Sequence, residues 1–100
     1  MGGAVGLLSH SPTMMIEQVL IEDKIKEKIL DKHNVEASEI KQVLLQKLLV
    51  LKSKRDRYLA IGHDQRYLTV VFEYKNKVAN IVTAYPASEA QIRLFKRKIR

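Results

Sequence analysis

The stretch RYLAIGHDQRYLTVVFEY, residues 57–74, decides the fold. Residues 58–62 are mostly apolar and run into a turn signal, Gly62-His63-Asp64-Gln65. Residues 67–74 are rich in β-branched and aromatic side chains and predict a second strand. Their near-continuous apolar run predicts a central position in a sheet. Lys75-Asn76-Lys77 then predicts a tight hairpin turn, because asparagine tolerates positive φ. The segment VANIVTAY, residues 78–85, pairs back, and Pro86 ends it for want of an amide hydrogen.

The elements on either side follow from this meander. Downstream, Ser88 and Gln91 have capping-box spacing and open a short, very basic helix, SEAQIRLFKRKIR, residues 88–100. Ala90, Ile92, Leu94 and Phe95 are expected to face the sheet. Upstream, KSKRDR at residues 52–57 reads as a basic loop. The run VLLQKLLVL, residues 43–51, is long enough for a helix end followed by a strand, with the change near Gln46-Lys47. That helix begins near Glu36 and turns Ile40, Val43, Leu44 and Leu48 to one side.

An earlier helix starts with Asp23 as its N-cap, buries Ile25 and Ile29, and ends at His33-Asn34. Lys24, Lys28 and Lys32 share another side of it. Residues 14–21, MMIEQVLI, read as a first strand with Ile16, Val19 and Ile21 partly buried. Its open edge would suit a homodimer. The expected class is α+β: a small antiparallel sheet of about four strands, with two N-terminal helices and one C-terminal helix.

One hundred residues suit a single modest core. Residues 1–14 carry Gly2, Gly3, Gly6, Ser9, Ser11 and Pro12 and read as a flexible N-terminal extension. Residues 15–100 read as the domain. The extension has no basic start and makes a poor signal peptide. No apolar stretch reaches the length that spans a bilayer. No partner membrane is therefore expected, and the absence of cysteine leans toward a reducing, cytoplasmic setting.

The formal charge is +7, and its distribution is uneven. All 18 basic side chains lie from Lys24 onward, against eight acids. Such a domain attracts nucleic acid, an acidic protein or an anionic surface, or is simply well solvated.

Several chemistries find no support. His10, His33 and His63 lie far apart, with no metal-ligand spacing, and there is no Gly-rich phosphate loop or serine elbow. No metal and no cofactor is expected. RNA cleavage without a metal stays open. It needs a base for the 2′-hydroxyl, cations for the developing phosphorane charge, and an acid for the leaving 5′-oxygen.

The catalytic candidates are Arg57, His63, Arg66 and Tyr85. His63 and Arg66 flank a turn, as an acid/base with a phosphate clamp or as two exposed turn residues. Tyr85 precedes a helix N-terminus, where an anion is welcome, or else covers the core. Lys54 and Arg55 in the basic loop are candidates for RNA binding. So are Arg93, Lys96 and Arg97, which form one helical stripe with Arg100. Tyr58, Tyr67 and Tyr74 read as packing residues.

The segment KHNVEASEI, residues 32–40, resembles the KHGV-x-x-x-E signature of BrnT-type toxins, within the RelE-like superfamily. The likeness continues through RYLAIG (57–62), RYLTVVF (66–72) and the strand-to-helix junction at Thr83-Ala84. It covers about residues 21–98.

The resemblance implies a RelE-like α+β fold and the toxin of a type II toxin–antitoxin pair. Such toxins cleave messenger RNA without a metal, some on the ribosome, and are neutralised by a cognate antitoxin. Operator DNA is bound only through the antitoxin. Lys32, His33, Arg57 and Arg66 match the pattern, with Lys32 and His33 expected to bind RNA. Three positions depart from it. Tyr85 stands where the resemblance leads one to expect arginine, Gln91 where glutamate is usual, and Phe95 where tyrosine is usual. The usual asparagine of the first helix is also missing, with Ile29 nearest. The alternative is a catalytically silent RelE-like basic module that binds a protein partner or nucleic acid.

Overall fold

A computed structural model of the chain describes residues 14–99. All but the last residue of the expected N-terminal extension, and Arg100 of the basic stripe, lie outside the described residues. Met14 itself packs against the core. The elements run β1 (Gln18–Leu20), α1 (Asp23–His33), α2 (Ala37–Leu44), β2 (Leu48–Lys54), β3 (Arg57–His63), β4 (Tyr67–Lys75), β5 (Val78–Pro86) and α3 (Glu89–Lys98).

The α+β class and the placing of two helices before the meander and one after it agree with the sequence reading. The sheet differs in detail. It has five strands in the order β1-β5-β4-β3-β2, and β1 lies parallel to β5. The other neighbours are antiparallel. The apolar β4 is central, as its composition requires.

Local chemistry sets the element ends. Asn34 takes the left-handed conformation (φ 55°) and its amide donates to the Leu30 carbonyl, closing α1. Glu22, not Asp23, occupies the N-cap position of α1, and Asp23 is the first helical residue. Glu36 and Glu39 form a capping box at the start of α2. Val35 before it and Ile40 within it are both buried in the same cluster, in the positions of a hydrophobic staple.

Residues 52–57 are not a loop. Lys52, Ser53 and Lys54 extend β2, Arg57 begins β3, and only Arg55 and Asp56 make the turn. The basic side chains are tolerated because this hairpin projects into solvent. Likewise His63 belongs to β3, and its turn spans residues 64–66. Asn76 and Lys77 both have positive φ (53° and 65°), the pattern of a two-residue primed turn between β4 and β5.

Period-two alternation divides the side chains between the two faces of the sheet. Val50, Ala60, Leu68, Val70, Phe72, Ala79, Ile81 and Ala84 cluster with Ile29, Val35, Ile40, Val43 and Leu44 from the helical layer. On the other face the register aligns Leu49, Ile61 and Thr69 in one row, each fully buried. α3 lies over this second face and is anchored to it where the Thr69 hydroxyl donates to Gln91 Oε1 at 2.8 Å. Ala90 points to solvent, contrary to expectation, while Gln91, Ile92, Leu94 and Phe95 are half-buried. Among the described residues no helix is long and apolar enough to cross a membrane.

Candidate nucleic-acid site

β1 covers only Val78–Asn80 of β5, so the rest of the outer edge of β5 has no strand neighbour. At that free end Tyr85 meets His33, the last residue of α1, with ring centroids 5.9 Å apart and planes tilted by 51°. The αL turn at Asn34 is what ends α1 here and leaves His33 beside the strand. Both side chains are half-buried, and Lys32, the residue before His33, is exposed.

Tyr85 pairs with Thr69 across the sheet, so Tyr67 is its diagonal neighbour on the same face, about 7–8 Å away. Tyr67 anchors a second aromatic group. The His63 ring lies 4.4 Å from it, Phe95 meets it edge-on at 5.7 Å, and Lys96 Nζ stands 5.8 Å from its centroid. His63 remains exposed.

Arg66 leaves the same turn toward the helical layer. Its Nε donates to Glu39 Oε2 and its Nη2 to Glu39 Oε1, both at 2.9 Å, and Nη2 also donates to the Asn34 carbonyl at 2.6 Å. The hydrogen bond from Arg66 holds the Glu39 carboxyl below the usual glutamate range, against an opposing effect of burial. The same bond raises the guanidinium above its ordinary value. One ion pair therefore ties the inter-helix loop, the start of α2 and the β3–β4 turn together.

The sequence-derived candidates fall at two ends of the sheet. Lys32, His33, His63, Arg66 and Tyr85 gather at one, with Lys96 of α3. Arg57, Lys54 and Arg55 sit at the other, where Arg57 pairs with Glu73 at 3.1 Å. Arg57 and His63 stand six positions apart at the two ends of β3, or about 20 Å. Arg93 and Arg97 are exposed on α3, and Arg93 lies 4.0 Å from Glu89.

Sequence reasoning missed Glu39 and Asn34 as partners of Arg66, and Tyr67 and Phe95 as the cluster around His63. The signature resemblance over residues 32–40 includes Glu39 but gives it no partner. Nothing in the linear pattern signals a contact across 27 residues. Among the described residues no three His, Cys, Asp or Glu side chains cluster as metal ligands.

No protein-family model and no curated protein matches the sequence. Among solved structures, the chain is similar to the BrnT ribonuclease toxin of Brucella abortus, with a TM-score of 0.62 and 18% sequence identity. The likeness covers 72% of this chain and 97% of that one. This chain therefore has a BrnT-like fold.

Proposed function

We propose that this chain is the toxin of a type II toxin–antitoxin pair, a metal-independent endoribonuclease that cleaves messenger RNA in the cytoplasm and is neutralised by a cognate antitoxin. The observation that carries the reading is the meeting of His33 and Tyr85 at the free end of β5, on the fold of a ribonuclease toxin. Cleavage at a 2′-hydroxyl needs two groups that exchange protons and a cation near the phosphorane. An imidazole and a phenol supply the two proton-exchanging groups, and Lys32, the residue before His33, is the cation assigned to the phosphorane.

In this reading His33 takes the 2′-hydroxyl proton and Tyr85 protonates the leaving 5′-oxygen, standing in for the arginine that the resemblance leads one to expect. Lys32 offsets the developing charge. Arg66, through the Asn34 carbonyl, fixes the turn that follows His33. His63, Lys96, Arg93 and Arg97 line the approach for the RNA backbone. Arg57, Lys54 and Arg55 would act only on a longer RNA that reaches the far hairpin.

The test is cleavage of labelled messenger RNA by the purified chain in EDTA, with and without ribosomes. His33→Ala and Tyr85→Phe should each lower the rate at least about a hundredfold, the size of a lost general acid or base. Circular dichroism spectra should not change. Cleavage that both variants retain would sink the assignment of these residues.

A second reading, a silent module that binds RNA or a protein without cutting, is favoured by one observation. The Arg66 fork is already committed to Glu39 and the Asn34 carbonyl. Under that reading the wild-type chain leaves RNA intact in every condition and its expression without an antitoxin does not arrest growth.

A further inference from the structure

The two edges of the sheet are unlike. β1 is three residues long, whereas β2 at the opposite edge spans seven. Among the described residues the backbone of β2 bonds to β3 and to nothing on its outer side. That row of amides and carbonyls is a ready template for another strand.

The sequence of this edge is divided in chemistry. Leu48-Leu49-Val50-Leu51 is apolar, and Leu48 and Leu51 are only half-buried. On the α3 side of the sheet, Leu51 continues into a row with Leu59, Val71 and Thr83 that is likewise half-covered. The second half turns basic. Residues 47–55 carry four cations, Lys47, Lys52, Lys54 and Arg55, and no acid. None of the four forms an ion pair among the described residues. Lys52 instead rests over the Tyr58 ring at 5.6 Å.

We propose that the outer edge of β2 takes an extended, acidic segment of a protein partner as a sixth strand of the sheet. Main-chain hydrogen bonds would supply much of the affinity, as in other strand additions, and side chains the selection. The segment carries apolar residues beside Leu48–Leu51 and Asp or Glu beside Lys52–Arg55. A second copy of this chain fits poorly, because self-pairing doubles the four cations at one seam with no acid to offset them. RNA would match the charges but leave the row of main-chain groups and the apolar half unmet. The proposal concerns a different edge from His33 and Tyr85 and does not depend on the ribonuclease reading.

The test uses the whole chain and a short synthetic peptide, one half alternating valine with threonine and the other glutamate with threonine. Binding is read by calorimetry and by amide exchange and NMR shifts along β2. The expected result is a one-to-one complex with the β2 amides shifted and protected. The same peptide N-methylated at alternate amides, and a chain carrying Lys52→Glu with Lys54→Glu, should each bind about tenfold more weakly or worse. Both lysines are exposed, so the double variant keeps its fold, which circular dichroism verifies.

Equal binding of the N-methylated peptide would overturn strand addition in favour of charge alone. No β2 shift at millimolar peptide would overturn the edge as a docking site. Two further results would also overturn the proposal. In one, a single-stranded RNA oligonucleotide moves the β2 amides and the peptide does not. In the other, the chain alone self-associates through β2.

Discussion

Arg66 grips Glu39 through two hydrogen bonds of 2.9 Å and the Asn34 carbonyl through a third of 2.6 Å. Glu39 also accepts from the Glu36 amide at 3.2 Å, so one carboxylate caps α2 and holds the sheet turn. Over a third of the Arg66 side chain is exposed, which screens the pair. Glu39→Gln should therefore cost only about 1 kcal/mol, measured by urea unfolding at neutral pH.

The same pair gives a pH dependence with a definite sign. The folded-state pKa of Glu39 lies below its unfolded value. Its contribution is therefore complete above the unfolded value, about 4.3, and is lost as pH falls through the lowered folded value. Wild type should lose more stability than Glu39→Gln as pH falls from the unfolded value into strongly acid solution. Parallel acid titrations of the two proteins would contradict the assignment.

Gln91 Oε1 accepts from both the Thr69 hydroxyl, 2.8 Å, and the Ser88 amide, 2.9 Å. Both bonds use the oxygen, so Gln91→Glu should keep stability within about 0.5 kcal/mol. Gln91→Leu strands a fully buried hydroxyl and removes half of a capping box, at a cost of about 2 kcal/mol. Thermal denaturation separates the two. Equal losses would mean that α3 is not anchored through this oxygen.

Gly62 is required by space and not by its backbone angles. A Cβ there would stand 2.7 Å from Leu48 Cδ2 and 2.9 Å from Val43 Cγ1. The leucine end can swing aside, but Val43 is β-branched and buried. Gly62→Ala should destabilise by about 1–2 kcal/mol in chemical unfolding, and Val43→Ala in the same chain should recover part of the clash term.

Lys77 holds φ at 65°, where a Cβ is unfavourable. Its ammonium makes only a long, exposed contact with Glu17 at 3.7 Å. Lys77→Gly should stabilise the protein by about 0.5–1 kcal/mol, seen as a higher Tm. A drop in Tm would mean that the exposed pair outweighs the backbone strain.

Local chemistry made much of this fold legible. Asn34 and Asn76 announced their left-handed turns, and Ser88 with Gln91 announced the start of α3. Residues 67–74 announced the central strand. The elements that misled were those decided by distant neighbours. The charge of residues 52–57 reads as loop, yet a strand edge in solvent accepts lysine on every position. Nothing within residues 14–21 could say that β1 would pair parallel to β5, because that partner lies far along the chain. The site followed the same divide. His33 and Arg66 were legible as chemistry-bearing residues, but their contacts with Tyr85 and Glu39 arise only when α1 and α2 dock on the sheet.

The parallel pairing of β1 with β5 has a consequence for the order in which the chain assembles. Sixty residues separate Gln18 from its partner Val78, while β2 to β5 pair through short turns. Closing the long loop costs entropy before any contact repays it, so the meander forms first and β1 joins afterwards. Val19→Ala should accordingly speed unfolding and leave the refolding rate nearly unchanged in stopped-flow experiments. During synthesis, Ile16, Val19 and Ile21 emerge long before the strand that shelters them exists. The nascent chain thus carries an uncovered apolar segment until β5 has left the ribosome.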